Sequence, residues 1–230
     1  RARLAARPDD PLLADTLARR YFDLAMAEGD PRYIGYAEAA LRPWGAGKPV
    51  PPDLRVIRAL LAQYKHDFAG ALKDLAIAAE ADPMNVEAHA WRAAIFMVQA
   101  EYAQAKAECE ALAPYASELL ATGCISYVDA TTGNTRKAYA RLSVALQGSP
   151  NASPGNRLWN LTRLAEMARR LGEPAKVEKH FRDAFALNVT DNFLLAAYAD
   201  FLLDENRPAD VIALLKDWAR SDTLLLRLAL

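Results

Sequence analysis

Acid–base and metal chemistry would fall first to His66, His89 and His180, and their spacing supports neither. No two of them stand a helical turn apart, so the H-E-x-x-H arrangement that brings two imidazoles to one zinc ion is missing. The stretch GAGKP (45–49) carries the Gly-Lys step of a phosphate-binding loop. A Walker loop also needs glycine where Arg42 sits and serine or threonine where Pro49 sits, so this stretch reads as a connection between helices. Asn151, Asn160 and Asn188 each open a glycosylation-type triplet, a pattern that arises readily by chance, and Asn160 falls inside an apolar helical pattern. The chain is therefore read as non-enzymatic, with no cofactor and no metal. Two pairs remain that could make strong polar contacts: Arg58 with Asp74 and Arg92 with Glu108, each 16 residues apart.

The elements that must position these residues repeat. The segment RALLAQYKHDFAGALKDLAIAAEADP (58–83) slides onto RAAIFMVQAEYAQAKAECEALAP (92–114) with a shift of 34 residues. That shift superposes Arg58 on Arg92, Ala59 on Ala93, Phe68 on Tyr102, Ala71 on Ala105 and Asp74 on Glu108. Turn formers cluster at 28–31, 65–68, 100–102, 132–135, 171–174 and 205–208, which implies six helix pairs. Small residues recur where paired helices must approach closely, at Ala71, Ala105 and Ala138 in the second helices and at Ala59, Ala93, Ser126, Ala165 and Ala199 in the first. Within units the apolar residues follow helical spacing, as in Leu158, Leu161, Leu164, Ala165 and then Val177, Phe181, Ala184. Pro83 and Pro150 close two units, because proline cannot continue a helix.

A period near 34 with these small-residue positions resembles the tetratricopeptide repeat. The resemblance implies an all-α, right-handed solenoid of about six antiparallel helix pairs, in one domain over 1–230, with repeats at about 11–42, 53–83, 85–114, 117–150, 156–188 and 191–220. The segment WGAGKPVPP (44–52) interrupts the period, and DTLLLRLAL (222–230) reads as the first helix of a further unit without a polar outer face. That edge is expected either to continue into more chain or to pack on another copy. A solenoid grows by adding neighbours, so the domain is expected to be elongated and without a central core.

On this pattern Arg58 and Asp74, like Arg92 and Glu108, sit on the two helices of one unit, where an arginine can hydrogen-bond a carboxylate and orient the hairpin. The other units lack the pair, having Ile125 with Arg141, Leu164 with His180 and Tyr198 with Leu214 at these positions. Cys109 and Cys124 are brought opposite each other if the chain folds back near Tyr115. They are then either a disulfide or two buried apolar thiols.

The resemblance further implies that first helices line a concave groove. It would place Asp23 and Met26, Gln63 and Tyr64, Met97, Tyr127, Trp159, Glu166, Arg169 and Asp200 there. Such rings and charges suit a protein or peptide partner. The leading expectation is a scaffold without catalysis; the alternatives are a regulatory solenoid of a larger enzyme and a sensor that closes on a peptide or small ligand. Composition agrees with a helical chain, at 53% hydrophobic and 25% charged residues, and no apolar run is long enough to span a bilayer, so membrane insertion is not expected. The formal net charge of −1 is far from that of a chain neutralising many phosphates, which sets nucleic acid aside. The resemblance to alanine-rich exported proteins favours the bacterial periplasm over the cytoplasm.

Overall fold

The computed structural model describes residues 2–45, 49–218 and 221–230. The short helix α1 (Ala2–Ala6) precedes six antiparallel pairs: α2 (Pro11–Glu28) with α3 (Arg32–Ala40), α4 (Pro52–Tyr64) with α5 (Phe68–Ala81), and α6 (Val86–Val98) with α7 (Tyr102–Leu112). The series continues with α8 (Glu118–Asp129) and α9 (Thr135–Gly148), α10 (Pro154–Arg170) and α11 (Pro174–Phe185), and α12 (Asn192–Asp204) and α13 (Pro208–Leu215), before α14 (Asp222–Ala229). No strand occurs among the described residues. Part of the 44–52 interruption, residues 46–48, lies outside them, as do residues 219 and 220 at the end of the sixth pair.

Side-chain caps and prolines in the first turn start most of the helices. Asp10, Asn85, Ser117, Ser153, Asp191 and Ser221 cap first helices and α14, each side chain accepting a backbone N–H three residues on. Second helices follow a tight turn: α5 is capped by Asp67, which accepts the Gly70 N–H, and α11 and α13 start on Pro174 and Pro208, whose missing N–H costs nothing in the first turn. Each turn holds one residue in the left-handed region: Gly29, His66, Ala100, Gly133, Gly172 and Asn206. In four turns the next backbone N–H then reaches back five residues, Asp67 to Ala62, Glu101 to Phe96, Glu173 to Ala168 and Arg207 to Leu202, at 2.8–3.0 Å. This satisfies carbonyls that the helix end would leave open. The fourth unit differs, since α8 runs into α9 through a wide turn over Ala130–Asn134, where the hydroxyls of Thr131, Thr132 and Thr135 take up loose carbonyls.

Alanine sets the helix spacing. Ala59, Ala71, Ala105, Ala165 and Ala199 have no exposed surface, and Ala93 and Ala138 almost none. The tightest approach is between α8 and α10, where a methyl group on Gly123 would stand 2.1 Å from Asn160 Oδ1 and 2.7 Å from the Trp159 ring. Such close packing curls the stack strongly. Phe22 on α2 meets Trp91 on α6 edge to face at 6.2 Å, and Arg19 reaches Glu87 at 2.6 Å, both passing over the unit between. Farther on, α2 touches α12, and Gly29 lies against Asn192 and Ser221. The molecule is therefore not elongated: its first unit returns to its sixth.

Buried carboxylates tie the middle hairpins. Asp74 receives Arg58 at 2.5 and 2.6 Å and also Arg55 at 2.8 Å, and Glu108 receives Arg92 at 2.9 Å and His89 at 2.7 Å. Arg55 and His89 stand in the same relation as Arg58 and Arg92, one helical turn earlier. The fourth unit is not without such a contact. Arg141 on its second helix donates to Ser126 at 3.0 Å and to Asp129 at 2.7 Å, one residue from the Ile125 facing expected from sequence. The fifth unit uses a neutral contact between neighbouring second helices, with the Tyr139 hydroxyl 2.8 Å from His180 Nε2.

Two outcomes follow from these contacts. Asp74→Ala leaves two arginines without their acceptor and should lower stability by about 2–3 kcal/mol, read as an earlier urea midpoint. His180 is held well below its ordinary value, to about 4, by burial first and then by Lys179, with Asp183 pulling the other way and Lys176 adding a smaller push. The unfolded chain therefore binds this proton more tightly than the folded one. Stability should be unaffected above the ordinary histidine pKa and should fall as pH drops from about 6.5 to about 4, with no further loss from this group below that. The loss is on the order of 2 kcal/mol after allowing for solvent screening, and His180→Phe should remove it from a pH series of denaturation curves.

Candidate functional site

First helices pack on first helices along the inside of the curl, α2 on α4, α4 on α6, α6 on α8, α8 on α10, and α12 on both α14 and α2. The return of α2 to α12 encloses a cavity of about 490 Å³. Met26 of α2, Tyr64 of α4, Glu166 and Arg169 of α10, and Phe193 and Asp200 of α12 line it, with Arg227 of α14 beside them. A second, smaller cavity of about 210 Å³ has Met97, Tyr127 and Trp159 in its wall. The residues placed in a groove by sequence thus divide between two cavities. Gln63, half-buried on α4, lines neither, and Asp23 is exposed near Arg19 and Glu87.

Arg163 stands between the cavities. Its guanidinium lies 4.6 Å from the centroid of the Tyr127 ring, 5.7 Å from that of Trp159 and 5.3 Å from that of Phe193, and Tyr127 meets Trp159 edge to face at 6.4 Å. A cation on three ring faces is held firmly while its charge needs few hydrogen bonds. Its Nη1 is 3.3 Å from Glu166 Oε2, and that oxygen accepts no hydrogen bond despite being buried. Burial accordingly pushes the Glu166 carboxyl up from the usual carboxylate range, against the opposing influence of Arg163, Arg170 and Arg169. The other charges are paired: Arg169 with Asp204 at 2.5 Å, and Asp200 with Arg227 at 2.6 and 2.7 Å.

Sequence reasoning missed Arg163, Phe193 and Arg227. Arg163 follows Trp159 by one helical turn, which was a usable signal for the first. The other two reach the site through neighbouring units, Phe193 against Arg163 of α10 and Arg227 on Asp200 of α12.

Cys109 of α7 and Cys124 of α8 are bonded to each other and form part of the smaller cavity's wall, fastening the third unit to the fourth. The arrangement offers rings, a methionine, a buried carboxyl and paired charges. Among the described residues no group of histidine, cysteine, aspartate or glutamate has the geometry to hold a metal ion.

No family model matches the sequence, and no curated protein matches it. Solved structures do resemble it. A tetratricopeptide repeat protein from Parabacteroides merdae superposes with a TM-score of 0.53 at 15% identity, over 92% of this chain and 84% of that one. PilF of Pseudomonas aeruginosa superposes with a TM-score of 0.52 at 15% identity, over 94% of this chain and 98% of that one. The chain folds as a tetratricopeptide-repeat solenoid. At this identity the likeness speaks for the fold of the six pairs, whereas the cavities are built from this chain's own side chains.

Within this solenoid the disulfide closes a short loop at the wall of the smaller cavity. Its reduction should lower stability by about 3 kcal/mol, seen as a lower denaturation midpoint with and without reductant, and free two thiols for titration.

Proposed function

We propose that the protein is a non-catalytic scaffold and that a short polypeptide segment of its partner occupies the inner cavity. The observation that carries this reading is the composition of that one cavity: Met26 and Phe193 expose large apolar side chains there, next to Tyr64, the Glu166 carboxyl and Arg169. Apolar and aromatic anchors beside a few fixed charges give binding free energy and orientation together. Tyr127, Trp159 and Met97 extend the surface toward the third and fourth units. The contact of Gly29 with Asn192 and Ser221 supports a second reading, in which the solenoid closes on its ligand as a sensor does.

The Cys109–Cys124 bond supports residence in an oxidising compartment such as the bacterial periplasm. Leu225 and Leu226 are exposed on α14, which supports packing of this edge on another copy.

A photo-crosslinking amino acid at Phe193, followed by mass spectrometry, should capture a polypeptide whose crosslinked segment binds as an isolated peptide. Tyr64→Ala and Arg169→Ala should each weaken that peptide by about 1–3 kcal/mol with helical content and melting temperature nearly unchanged. Binding unchanged in both variants would move the functional surface elsewhere. Compaction of the protein in solution scattering on adding the peptide separates the sensor reading from the static scaffold.

A further inference from the structure

A cleft of about 720 Å³ opens on the other side of α10, between the second helices α9 and α11. Its floor is apolar, with Leu161 and Leu164 of α10 and Leu146 of α9. Its polar lining is cationic on balance: Arg157, Lys176 and Lys179 against Asp183 alone. Lys179 is engaged by Asp183 at 2.5 Å, Lys176 by Glu173 at 2.6 Å while lying 5.3 Å from the Tyr139 ring centroid, and Arg157 donates to the Ser149 carbonyl at 3.0 Å. Counted with Glu173, three cations meet two carboxylates, and Arg157 is the one left without a carboxylate partner.

Two buried polar atoms of residues in the wall, His180 Nδ1 and Ser143 Oγ, are left without partners. His180 is more than nine-tenths buried, its Nε2 meets the Tyr139 hydroxyl, and its Nδ1 has no hydrogen bond; the buried Ser143 hydroxyl has none either. A buried group without a partner costs on the order of 1–3 kcal/mol, so two in one wall mark a place where an acceptor belongs. In the tautomer where the Tyr139 hydroxyl donates to Nε2, Nδ1 carries the proton and can donate to an acceptor in the cleft.

We propose that this cleft binds a small organic monocarboxylate, its apolar body on Leu161 and Leu164 and its carboxylate drawn by Arg157, Lys176 and Lys179 toward the His180 imidazole and the Ser143 hydroxyl. A single negative charge matches the surplus, and the apolar floor gives the body of the molecule a place that a bare phosphate would not use. The site is separate from the inner cavity and does not depend on the peptide-binding reading. The groups facing His180 are Tyr139 from α9, Arg157 from α10, and Lys176, Lys179 and Asp183 from its own helix, with Glu173 and Arg136 one ion pair further out. Without ligand the imidazole stays neutral down to about pH 4, and a carboxylate beside it favours the charged form.

The test is a titration of the full chain with hexanoate, acetate, hexanol and inorganic phosphate at matched ionic strength, following the ring ¹⁵N signals of His180. At neutral pH, where the ligand is ionised, hexanoate should move these signals and saturate at roughly tenfold lower concentration than acetate. Lys176→Gln with Lys179→Gln, both at exposed positions, should weaken hexanoate about tenfold while circular dichroism stays unchanged. Ser143→Ala gives a second, uncharged variant with the same expected direction. The proposal is overturned if hexanoate leaves His180 where matched chloride does, if hexanol acts equally well, if phosphate binds as tightly as hexanoate, or if the folded lysine variant binds hexanoate unchanged.

Discussion

Close approach of helices at alanine and glycine is the constraint on which the rest of this molecule depends. With a larger side chain at Ala71, Ala105, Ala165 or Ala199, the paired helices would separate and the stack would straighten. With the small residues in place the curl is tight enough for α2 to meet α6 through Phe22 and Trp91 and then α12 through Gly29. The inner cavity exists because of that return, since its walls come from units far apart in the chain. Gly123 is the extreme case, leaving room for Asn160 and Trp159 where no side chain would fit.

Within this frame, charge organises each hairpin and the turns fix its ends. Asp74 and Glu108 each collect two basic groups from the preceding helix, which leaves the carboxylates buried without a large cost in desolvation. Where a unit lacks the carboxylate, another polar contact takes the place: Arg141 to Ser126 and Asp129, or Tyr139 to His180. The left-handed residue in every turn reverses the chain within a few residues, and it does so even at His66 and Ala100, where a Cβ makes that conformation cost about 1 kcal/mol. Tertiary packing of the two helices outweighs that local cost.

Inside and outside faces carry different chemistry. The inner cavity combines anchors for an apolar ligand with the Asp200–Arg227 pair, Arg169 and the buried Glu166 carboxyl. The cleft between α9 and α11 has cations at its rim and unpartnered polar atoms in its wall. The two faces share α10, whose Glu166 and Arg169 point one way while Arg157, Leu161 and Leu164 line the other.

The period, the six turns and the positions of the small residues were legible in the chain because each reflects a local rule: helical spacing of apolar residues, turn formers between helices, and the repetition of one unit. Arg58 with Asp74 and Arg92 with Glu108 were legible for the same reason, lying within single repeats. His89 and Arg55 carried the same signal and could have been read with them. The closure of the ring, which sets α2 and α4 opposite α10 and α12, was not, since curvature is a sum of small rotations at every helix contact and no window of sequence contains it. The sequence by itself determined which helices form and how each pairs with its neighbour; only the tertiary structure decided which side chains share a cavity, because that depends on the accumulated angle between units that never touch in sequence.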